Sequence, residues 1–62
     1  MARFQIRTSQ LKNNEFIISV SDTKTGEIVT ELMSRIKSIG IKIAMERTNK
    51  IMKERELDKQ NP

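Results

Sequence analysis

Two arginines and a glutamine alternate with apolar residues near the start of the chain, in Arg3-Phe4-Gln5-Ile6-Arg7. Side chains on a strand point alternately to opposite faces. Phe4 and Ile6 therefore share one face, and Arg3, Gln5 and Arg7 the other. Forked guanidiniums and a carboxamide are the groups that hydrogen-bond base edges in a DNA major groove. Such a strand, used in a two-stranded ribbon, is one of the few ways so short a chain reads DNA. A face of Arg and Gln also keeps an exposed strand in water, and this stretch alone leaves both readings open.

Little other chemistry is available. The chain has no His, Cys, Tyr or Trp. General acid–base work at neutral pH would fall to a Glu or Lys with a strongly shifted pKa in a dry pocket. A chain of 62 residues does not readily enclose one. Glu54, Glu56 and Asp58 lie close in sequence, but in a charged C-terminal stretch. With only Gly26 and Gly40 there is no phosphate-binding glycine loop and no nucleophile elbow. A metal site would need carboxylates alone, and no calcium-type loop is present. We expect no enzyme, no cofactor and no metal; the protein acts by binding.

The elements that must position these groups can be read from periodicity. Residues 3–8 form a strand, and Gln10-Leu11-Lys12-Asn13-Asn14 a turn. Residues 15–21 form a second strand, with Phe16, Ile18 and Val20 on one face. Asp22-Thr23-Lys24-Thr25-Gly26 is a hairpin turn in which Gly26 supplies a positive φ. It leads into a short third strand over 27–30 or straight into a helix. From Ile28 the apolar spacing changes to three and four. Val29, Leu32, Met33 and Ile36 make one helical stripe, and Ile41, Ala44, Met45, Thr48, Ile51 and Met52 another. One continuous helix would be apolar all round in its middle, because Ile39 and Ile43 oppose Ile41, Met45 and Met52. Two helices broken at Gly40 bury each stripe separately and are favoured, although residues 41–43 offer no capping side chain.

The fold class expected is α+β: an N-terminal β-ribbon or hairpin, then one long or two shorter amphipathic helices. Residues 1–57 make one small domain, and 58–62 a frayed tail. A chain this short is marginal as a monomer. Without Cys it has no disulfide, so a dimer or higher oligomer is expected, with a core shared between chains. The net charge is +4. From Leu32 to Lys53 the basic residues Arg35, Lys37, Lys42, Arg47, Lys50 and Lys53 face one acid, Glu46. Lys24, Arg35, Lys37 and Lys42 then join Arg3, Gln5 and Arg7 as the candidate DNA-contacting set, with phosphates as their target. Apolar runs reach only three residues, so no membrane span and no signal-peptide core is read, and a cytoplasmic site is expected.

Two segments carry a family resemblance. Ala2-Arg3-Phe4-Gln5-Ile6-Arg7 resembles the reading strand of Arc-type ribbon-helix-helix repressors. Glu27-Ile28-Val29-Thr30-Glu31-Leu32 resembles the start of that family's second helix. The resemblance implies a dimeric transcriptional regulator. Its antiparallel ribbon would carry Arg3, Gln5 and Arg7 to the bases, with the second helix's N-terminus on phosphate. The chain departs from the pattern between these pieces, where EFIISVSDTKTG replaces a helix and Asp22 and Thr23 replace the usual Gly and Ser. A different register would use FIISVS as the ribbon, at the expense of the reading face. The turn Asp22-Thr23-Lys24-Thr25-Gly26-Glu27-Ile28-Val29 also looks like that of many small flagellar and phage accessory proteins, and implies no function. A second hypothesis follows from the apolar stripes: a small phage- or plasmid-type accessory or inhibitor that docks on a protein through its hairpin and apolar helix face.

Overall fold

The computed structural model describes residues 3–60, with side chains described to Glu56. Three strands, β1 (Phe4–Gln10), β2 (Phe16–Asp22) and β3 (Ile28–Ser34), precede one helix, α1 (Lys37–Gln60). The strands form an antiparallel sheet in the order β1-β2-β3. The α+β class expected from the sequence is the class observed. Of the residues assigned to a tail, 58–60 continue α1, and 61 and 62 lie outside the described residues.

The register sets two faces. On one, Phe4, Ile6 and Thr8 of β1 lie beside Asp22, Val20 and Ile18 of β2. Ile18 and Val20 in turn meet Leu32 and Thr30 of β3. This face receives α1, which lies over β2 and β3. The fully buried apolar residues among those described are Ile18, Val20 and Ala44, with Phe4, Phe16, Leu32, Ile41 and Met45 packed around them. The β1 side of the face is only partly covered, and Ile6 is 37% exposed.

Residues 28–34 correct the helical reading of Val29, Leu32 and Met33, and Ile36 falls between this segment and α1 (Lys37–Gln60). Residues 28–34 form a seven-residue strand, longer than the short third strand considered. The segment resembling a helix start is part of this strand. Its β-branched opening, Ile28-Val29-Thr30, suits a pleated surface, and its partner is the second edge of β2. A register shift opposite Val20 and Ser21 marks a bulge in this pairing. The hairpin turn is as expected, with Gly26 at φ 78° and its N–H on the Asp22 carbonyl at 2.7 Å.

The break at Gly40 is also corrected, since α1 runs through it. The helix begins earlier, where Gly40 N–H reaches the Ile36 carbonyl at 2.9 Å. Ser34 Oγ organises the preceding turn, accepting from Ile36 N–H and donating to its carbonyl. Gly40 is buried because the helix crosses the sheet there. A Cβ on it would overlap Ile18 Cδ1 and come within 2.7 Å of Ser34 Cβ. The glycine therefore permits close approach of helix and sheet.

A polar contact fixes the middle of α1. Thr48 Oγ1 donates to the Ala44 carbonyl at 2.8 Å. Its contact with Thr30 Oγ1, also 2.8 Å, then has Thr30 as donor. Both threonines are buried. Further along, Arg55 makes a two-pronged pair with Glu27, at 3.0 and 2.7 Å.

Gly40→Ala overpacks the crossing, and urea unfolding should show a net loss of about 1–3 kcal/mol, even though alanine favours helix by about 1 kcal/mol. Thr48→Val strands the buried Thr30 hydroxyl and should lose about 1–3 kcal/mol. Thr30→Val leaves Thr48 on its own carbonyl acceptor and should lose less. Equal losses for the two threonine variants would refute this donor order.

Candidate nucleic-acid interface

The sheet face opposite α1 has no element over it among the described residues. Its cross-strand rows are Gln5, Ser21 and Ile28; Arg7, Ser19 and Glu31; and Ser9, Ile17 and Met33. The face is graded. β1 contributes a carboxamide, a guanidinium and a hydroxyl, and β2 contributes Ser19 and Ser21. β3 contributes Glu31 and the exposed Ile28 and Met33. Gln5, Arg7, Ser19, Ser21 and Ile28 line one shallow groove there. The guanidinium and the carboxamide of this face are therefore both on the β1 side.

Arg3 does not join Gln5 and Arg7. It lies just before β1, and its Nε and Nη2 reach Asp22 Oδ2 at 3.4 and 3.3 Å. Its guanidinium also stands 5.6 Å from the Phe4 ring centre. Asp22 belongs to the helix-facing side of β2 and is 2% exposed. A buried carboxylate demands partners, and that demand takes Arg3 off the outer face. Alternation alone puts Arg3, Gln5 and Arg7 together; the structure keeps Gln5 and Arg7 and removes Arg3 to a cleft with Met52 and Arg55.

The remaining candidates are dispersed. Lys24 sits in the β2–β3 turn, at the end of the sheet where β1 begins, and its N–H donates to Asp22 Oδ1 at 2.8 Å. Arg35 and Lys37 lie at the opposite end, where β3 passes into α1. Lys42 is exposed on α1. The ion pairs among the described residues are Arg3–Asp22 and Arg55–Glu27, so Arg7, Lys24, Arg35, Lys37 and Lys42 have no ion-pair partner there. Two basic regions result: Arg7 with Gln5 on the sheet, and Arg35, Lys37 and Lys42 about the start of the helix.

Sequence reasoning treated Asp22 as a turn residue and missed its role as an anchor. The available signal was its parity with Phe16, Ile18 and Val20, which places it on the buried face. The same alternation places Ser19 and Ser21 on the outer face. No cluster of three or more His, Cys, Asp or Glu fit to hold a metal occurs among the described residues. No helix there is long and apolar enough to cross a membrane.

The anchor is sensitive to acid. The Lys24 N–H hydrogen bond, together with the Arg3 guanidinium, holds the Asp22 carboxyl below its ordinary 3.8, against the upward push of burial. The Arg55 hydrogen bonds and charge hold Glu27 below its ordinary 4.5, and Arg55 is correspondingly raised. No family model, curated protein or solved structure matches this chain.

Carboxyls lowered by folding add stability that is complete above their ordinary values and is lost as pH falls through the lower folded ones. The thermal midpoint should therefore hold from neutral pH to about pH 5 and fall below about pH 4. Asp22→Asn should lower the neutral midpoint and flatten the acid limb. An unchanged acid limb in that variant would show that Asp22 is not its source.

Proposed function

We propose that this chain is a small cytoplasmic DNA-binding protein, dimeric and regulatory, that reads the major groove with β1. The observation that carries the reading is the pairing of type and place. Gln5 and Arg7 stand on an uncovered face of an edge strand, and neither side chain is engaged within the described residues. Few groups in the chain are as well suited to base edges. This is the chemistry implied by the Arc-type resemblance, carried on a three-stranded sheet.

The edge itself supports the dimer. The Arg3 carbonyl accepts from Thr23 N–H at 2.8 Å and Leu11 N–H donates to Glu15 at 2.7 Å. Odd-numbered backbone groups of β1 therefore face β2. The N–H and C=O groups of Phe4, Ile6, Thr8 and Gln10 then face outward along a seven-residue edge. The opposite edge, β3, is bulged, as protected edges often are. A second β1 running antiparallel satisfies the open groups and covers Ile6. Of the registers that pair even residues, one sets Arg7 against Arg7 of the second copy, and like charges directly opposite are unfavourable. The register centred on Ile6 sets Gln5 against Arg7 instead. It brings four reading side chains together on one ribbon, with each Lys24 at its rim for phosphate.

Binding to random duplex DNA over a salt series tests this reading. Affinity should fall steeply with salt, and selection from a random pool should enrich one sequence. Arg7→Ala should lose about 1–3 kcal/mol of discrimination per base contact while circular dichroism is unchanged. Because the chain has no cysteine, Ile6→Cys tests the register. Paired Cα atoms about 5.5 Å apart allow a symmetric disulfide, whereas Ser9→Cys should not crosslink. Absence of DNA binding even at low salt would reject the proposal.

A further inference from the structure

The second basic region adjoins an apolar flank of α1 that no described element covers. Ile36, Ile39 and Ile43 are 54%, 49% and 37% exposed. Spaced by three and four, Ile36 just ahead of α1 and Ile39 and Ile43 on it form one stripe at the beginning of the helix. Ile39 and Ile43 immediately precede Gly40 and Ala44, both buried against the sheet. They therefore stand about 100° around the helix from that contact, facing out. The surrounding charges are nearly of one sign: Arg35, Lys37, Lys42, Arg47 and Lys50, against Glu46. None of these groups has an ion pair among the described residues. The first turn of α1 holds no acid, so the positive end of the helix dipole adds to the field.

We propose that this flank docks an acidic, amphipathic helical segment of a partner protein. The three isoleucines receive the partner's apolar stripe, and the basic rim receives carboxylates on either side of it. Charge chooses this occupant over a second copy. Two such flanks brought together would set Arg35, Lys37, Lys42 and Arg47 against the same cations of the other chain. Aliphatic isoleucines offer bases no stacking surface, which separates the flank from a nucleic-acid groove. The flank lies on α1, away from Gln5 and Arg7, so this inference does not depend on DNA binding.

A designed helical peptide tests it, with a leucine stripe at heptad spacing and glutamates at the flanking positions. A lysine-flanked copy and anionic phosphatidylserine vesicles serve as comparisons. The acidic peptide should bind at least about tenfold more tightly than the lysine copy, and salt should weaken it. Combined Ile39→Asn and Ile43→Asn should weaken binding by about tenfold or more, with the helical signal retained. Ile28→Asn, on the outer sheet face, and Arg7→Ala should leave peptide binding unchanged. Equal binding of the two peptides, indifference to the Ile39 and Ile43 changes, or no binding at millimolar peptide would overturn the proposal. Capture by vesicles without peptide binding would assign the flank to lipid and overturn it equally.

Discussion

The structure depends on one close approach. β2 is the central strand, and its Ile18 and Val20 have to be sealed from water by a single helix. A helix rests that low on a sheet only where its side chains are small, and α1 brings Gly40, Ala44 and Thr48 to the contact. Each is one helical turn from the next, so together they form a shallow strip along the axis. Larger residues flank the strip, with Ile41 and Met45 on one side. With so small a core, modest errors at the strip would be large relative to total stability.

Two polar devices hold the helix in register along that strip. The Thr30–Thr48 hydroxyl pair fixes it at mid-length. The Glu27–Arg55 pair fixes it near the hairpin end, where both groups are about half exposed and contribute little beyond orientation. Asp22 performs the corresponding task for the strands. Its carboxylate takes the Lys24 N–H from the turn and the guanidinium of Arg3 from the strand entrance, so one buried charge joins β1, β2 and the hairpin. This arrangement also limits the candidate interface, because Arg3 is engaged in the fold and leaves Gln5 and Arg7 as the outward pair.

Local pattern made part of this legible. Period-two spacing in residues 3–8 and 15–21, with the polar turn between them, identified the first hairpin and the α+β class, and the turn ending at Gly26 marked the end of β2. The third strand was not legible because Val29, Leu32, Met33 and Ile36 satisfy a helical period, while Thr30 and Leu32 satisfy a strand period. What decides between them lies outside the segment, namely the open second edge of β2. Gly40 misled for a related reason. Its local meaning is a helix stop, but its cause here is Ile18 on another element. Arg3 shows the same limit at the candidate site. Alternation states where a side chain would point in an isolated strand, and a buried carboxylate across the hairpin redirects it. Gln5 and Arg7, with no such neighbour, stand where alternation puts them.

The two open surfaces have a common origin in the size of the sheet. One helix covers two strands well and leaves the third half-bare, so Ile6 and the outer backbone groups of β1 remain exposed. The same helix has a second apolar flank, because its middle carries isoleucines on both sides and the sheet occupies only one. Among the described residues no further element covers either surface. The chemistry left at the two surfaces differs. At β1 it is an alternating strand edge with hydrogen-bonding side chains above it, which suits a like strand and then a groove. At α1 it is an aliphatic stripe in a cationic frame, which suits an acidic helix. Because each surface is set by a different element, occupation of one as proposed would leave the other open.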